Sequence, residues 1–93
     1  MSELNTRIFS LLQFIQDSVA EGLESPASKL ECFGEADMAL NILAAILRRH
    51  DEHRHATLAL IGLFNISFVG LAQEGLSVED PMDRVTYAKS LFQ

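Results

Sequence analysis

Three histidines crowd into one short segment, His50-Asp51-Glu52-His53-Arg54-His55. No other stretch of the chain gathers as many groups able to hold a metal. On a helix, residues three apart share a face, which would put His50 beside His53. Zinc needs three or four ligands at about 2.0–2.3 Å, so Asp51 or the distant Cys32 would have to complete a set. Two features weigh against this. The pattern is not the H-E-x-x-H of a helical zinc site, and Arg48, Arg49 and Arg54 would repel a cation. His50, His53 and His55 are therefore weak metal candidates within a solvated junction between helices. A pH-sensitive hinge is the third reading, because histidine changes charge near neutrality.

The other reactive groups stand alone. Cys32 has no local base and reads as a small buried apolar residue. The serines and Tyr87 have no motif around them. No paired carboxylates sit at helical spacing inside an apolar stretch, as a di-metal bundle requires, and no glycine-rich phosphate loop is present. Neither an enzymatic activity nor a cofactor is expected.

Charge and composition narrow the remaining classes. Thirteen acids against seven bases give a net charge of −6. Such a surface repels phosphate backbones and disfavours direct nucleic-acid binding; it favours a basic partner. The single cysteine fits a reducing cytosol, and MSELNTRIFS lacks the features of a secretory signal, so a cytoplasmic protein is expected. The apolar fraction of 48% excludes disorder and leaves apolar area to spare.

The elements that position these groups read as helices. One domain, residues 1–93, is expected to form an all-α antiparallel bundle with helices near 3–22, 35–50, 52–75 and 81–92. Ser2 caps the first. Leu4, Ile8, Leu11, Leu12, Ile15, Val19 and Leu23 form its apolar stripe, Phe14 falls on the polar face, and Gly22 marks the end. Ser28-Lys-Leu-Glu31 resembles a capping box and predicts a short turn of helix before Gly34. The second helix carries Leu40, Leu43, Ala44 and Leu47, with Ala36, Ala39, Ile42 and Ile46 widening the arc past half its circumference. Asp80-Pro81 starts the last helix, whose inner face is Met82, Val85, Ala88 and Phe92.

Ala56 to Gln73 contains no charged residue. It reads as a long third helix with two apolar faces, capped by Asp51. A strand through Leu58–Phe68 is the alternative. A membrane span meets only the lower length limit, and Thr57, Asn65, Ser67 and Gln73 dilute it, so none is expected. One face, Leu60, Phe64, Ser67 and Leu71, is expected to pair across a two-fold axis in a homodimer. Asn65 on the other face would mark register within the core. Glu21, Glu24, Glu31, Glu35 and Asp37 form a candidate acidic docking patch, and Phe14 a candidate contact.

The expected function is that of a small regulatory protein that binds another protein. An antiactivator that blocks a surface of a transcriptional regulator is one form of it. The alternative is a module that binds a small ligand or a metal.

Overall fold

The computed structural model describes residues 2–92 and is all-α, with no strand among them. Helix α1 (Glu3–Glu24) and helix α2 (Lys29–Arg48) form an antiparallel hairpin, turned by a 3-10 segment at Pro26–Ser28. A second 3-10 turn, Asp51–His53, leads into α3 (Arg54–Leu60). Helices α4 (Phe68–Gln73) and α5 (Glu79–Ser90) complete the chain. Against the hairpin, α5 packs on α1 and α3, while α4 packs on α2. The alternative of a strand through Leu58–Phe68 falls away, since no strand forms among the described residues.

The apolar periodicity places the core. Ile8, Leu12, Ile15 and Val19 of α1 meet Phe33, Leu40, Leu43 and Leu47 of α2. Leu60, Leu63, Phe68, Val85, Ala88 and Phe92 close the other side. Within the stripes predicted for the first, second and last helices, Leu23 and Ile42 are the exceptions, both about half exposed; in the third segment Leu58, Ile61 and Leu76 are exposed as well.

Four boundaries differ from expectation, each for a local reason. Helix α1 runs past Gly22 to Glu24, and Gly22 is a packing position. A Cβ there would stand 2.8 Å from the Phe33 ring, so its absence lets the hairpin close on that ring. Adding that methyl overpacks a tight contact, and Gly22→Ala is expected to cost about 1–3 kcal/mol in urea denaturation, despite alanine's better helix propensity.

The second helix starts at Lys29, not near 35. Ser28 stands at its N-cap, but the hydroxyl bonds to the Ser25 carbonyl and hydroxyl instead of capping α2. The helix continues through Gly34, which faces Val69 of α4.

The long third helix is broken in two. Turns at Ile61–Asn65, closed by Leu63 N–H to Leu60 O and Ile66 N–H to Leu63 O, interrupt it. Ser67 then caps α4, its hydroxyl accepting from Gly70 N–H at 3.1 Å. Asp51 belongs to the 3-10 turn and caps nothing by its side chain. Asn65 is exposed and marks no core register. The expected end holds: Gly75, at φ +69, and Leu76 donate back to Ala72 and Leu71, the paired bonds of a Schellman stop.

Helix α5 begins at Glu79, so Asp80 lies in its first turn and pairs with Arg84 at 3.6 Å. The Ser77 hydroxyl accepts from Glu79 N–H just before it. A polar clasp fixes α5 on α1. Lys89 Nζ donates to Gln13 Oε1 and Gln16 Oε1 at 2.9 and 2.7 Å, and Gln16 donates to Thr86.

Candidate interaction surface

The outer face of the α1–α2 hairpin carries a strip that the core leaves uncovered. On α1, Arg7, Ser10 and Phe14 recur at helical spacing. On α2, Glu35, Met38 and Ile42 do the same. Phe14, Met38 and Ile42 are 45%, 66% and 50% exposed. Between the two rows, half-buried Leu11 and buried Ala39 form the floor of a shallow cleft of about 290 Å³. The cleft continues past Leu11 and Ile42 towards Ser10, Arg7 and Glu3. It follows from the helix periods: each helix turns one apolar arc to the core, and the wide arc of α2 spills onto the surface.

One end of this strip is acidic. Glu35 borders the cleft and Glu31 lies one turn before it on α2. Asp17 and Glu21 follow Phe14 on α1, on the same side by helical spacing. All four are exposed. The ion pairs among the described residues are His50–Glu52 and Asp80–Arg84, so none of the four is paired. Asp17 accepts a hydrogen bond from Gln13.

The expected patch therefore divides. Glu21, Glu24, Glu31 and Glu35 are exposed. Asp37 turns the other way and anchors α4. Its carboxylate accepts from Ser67 Oγ at 2.7 Å, Phe68 N–H at 2.6 Å and Val69 N–H at 3.2 Å. It is a fastening between helices and is not part of a docking patch.

The expected dimer face also disperses. Leu60 is fully buried. Phe64 and Leu71 pack half-buried against the core, and Ser67 caps α4. The interruption of the helix between Leu60 and Ser67 puts these four in different settings, so they do not form one outward stripe on this fold. Of that interface set, Phe14 is on the uncovered strip.

The three histidines do not gather into one set: His53 and His55 border one cleft with Glu52, and His50 borders another. His50 Nδ1 lies 3.2 Å from Glu52 Oε1. His53 packs against the Phe92 ring, with centroids 5.1 Å apart. His55 is exposed. Glu52's carboxyl is held below its ordinary value, first by a backbone N–H bond and then by His50. Among the described residues, no group of three or more His, Cys, Asp or Glu is placed to hold a metal. Cys32 is buried beside the Ser28 hydroxyl, with no base near it among its hydrogen-bond partners.

Met38 and Ile42 are the surface residues that sequence reasoning missed. Helical periodicity places Ile42 in the buried arc and gives Met38 no role. The available signal was the width of that arc, greater than one neighbouring helix on each side could cover.

No protein-family model, curated protein or solved structure matches this chain. Among the described residues, no helix is long and apolar enough to cross a membrane.

Proposed function

We propose that this chain is a small non-enzymatic regulator that works by occupying a surface of another protein. The observation that carries the reading is the open apolar strip of Leu11, Phe14, Met38 and Ile42 on an otherwise polar hairpin face. Contiguous exposed apolar area of this kind marks interaction sites. Acidic net charge and the scattered histidines support binding over metal or nucleic-acid chemistry. In its finer form, a cytoplasmic antiactivator, the protein would cover the dimerisation or DNA-binding surface of a transcriptional regulator.

Affinity capture from lysate, with Met38→Lys beside wild type, tests the reading. Met38 is exposed, so the variant should retain wild-type helicity by circular dichroism. Wild type is expected to recover one protein in stoichiometric amount, and the variant at least tenfold less. Equal recovery by both, or a metal or metabolite retained in native mass spectrometry with no protein partner, would overturn the proposal.

A further inference from the structure

We infer that the hairpin strip seats a hydrophobic, basic amphipathic helix of the partner, with its lysine or arginine end over Asp17, Glu21, Glu31 and Glu35. This rests on the protein-docking reading above and names the occupant.

The shape suits a helix. A cleft between two antiparallel helices accepts the side chains of a third at i, i+3 or i+4, and i+7. From Arg7 to Glu21 the strip is about 21 Å long at 1.5 Å per residue, which matches a partner helix of about 14 residues. Its walls are adaptable: Met38 is unbranched and flexible, and thioether-lined surfaces accommodate varied apolar side chains.

The charges choose the partner. Along the strip, apolar contact at Phe14, Met38 and Ile42 runs into four carboxylates with no ion-pair partner among the described residues. A second copy of this chain complements them poorly. It would bring the same four carboxylates to a face whose cations are Arg7 and, two turns beyond Ile42, Arg49, with Glu3 beside Arg7. Two such faces would meet with acids in excess on both sides. A helix bearing several lysines or arginines at one end gives every carboxylate an opposite charge, and its apolar face covers the rest.

The test uses the intact chain, labelled with ¹⁵N, and synthetic peptides of about 16 residues. One has leucines at i, i+3, i+4 and i+7 and lysines clustered at one end. A second replaces the lysines by glutamates, and a third by glutamines. The lysine peptide is expected to shift the amides of Leu11, Phe14, Glu35, Met38 and Ile42, at least tenfold more tightly than either other peptide. Met38→Lys, or Glu31→Lys with Glu35→Lys, should weaken it at least tenfold. Asp83→Lys, on exposed α5 surface, should not.

Equal binding of the glutamine or glutamate peptide at the same residues would overturn the basic occupant while leaving the docking reading intact. Shifts at those residues that appear on raising the protein concentration alone would assign the strip to a second copy and overturn the inference. Binding of the lysine peptide that Met38→Lys leaves unchanged would overturn the strip itself as the site, and with it the docking reading.

Discussion

Phe33→Ala is expected to remove about 3–5 kcal/mol of folding stability, the upper end of what one core truncation costs. A chain of this length has about 5–14 kcal/mol in total, so the variant should lose much of its margin. The reason is where the ring sits. Phe33 is fully buried on α2. It fills the notch left by Gly22 on α1, and its ring meets Phe68 of α4 edge to face, with centroids 6.2 Å apart. Three helices therefore share one side chain. Truncation leaves a cavity that none of them can close alone. The melting temperature should fall by roughly 12 °C or more at 4–8 °C per kcal/mol. A double-mutant cycle checks the geometry. Gly22→Ala should cost clearly less in the Phe33→Ala background, because the ring its methyl would strike is gone. A fall of only a few degrees for Phe33→Ala, or additive losses in the cycle, would show that Phe33 does not join the helices in this way.

The helical class, the inner residues of α1 and α5 and the stop at Gly75 were legible in the sequence, because each depends on near neighbours. Ile8, Leu12, Ile15 and Val19 repeat on one face whatever the partner. The break between α3 and α4 was not legible. An uncharged run with a helical period reads as one helix, and the group that fixes the break comes from elsewhere: Asp37 is 31 residues from the Phe68 amide it receives. Helix bounds of 35–50 set Asp37 near a helix start, whereas the helix begins at Lys29. The same bounds leave Glu31 outside the second helix and hide its alignment with Glu35, Met38 and Ile42.

The candidate site was half legible for a related reason. Phe14 interrupts a polar face of its own helix, and that is visible within one helical period. Met38 and Ile42 lie on a helix that is apolar around more than half its circumference, where periodicity cannot say which side remains open. That depends on how many neighbours the helix has. Helix α4, once separated from α3, covers one flank of α2 and α1 covers another. The remaining flank, Glu31–Glu35–Met38–Ile42, faces out. The placement of the surface is thus a consequence of the break in the third helical segment.

Asp37→Ala should accordingly loosen α4 more than it weakens the whole. The carboxylate satisfies the amides of Phe68 and Val69 and the Ser67 hydroxyl. The first turn of a helix has no intrahelical acceptors for these amides, and a negative charge there also suits the helix dipole. Helix α4 is six residues long, too short to persist by its own propensity. Its fixed points are this carboxylate, the Ser67 cap and the burial of Phe68. Removing the charged acceptor is expected to cost about 2–3 kcal/mol, within the range for hydrogen bonds to charged groups and a lost cap. Asp37→Asn, which keeps an acceptor oxygen without the charge, should lose less. Hydrogen exchange separates a local effect from a global one. In Asp37→Ala the amides of Gly70 and Leu71 should exchange markedly faster, while those of Leu12 and Leu43 change only in step with global stability. Equal acceleration at all four would show that Asp37 supports the fold as a whole. No acceleration at Gly70 and Leu71 would show that Ser67 and Phe68 hold α4 without it.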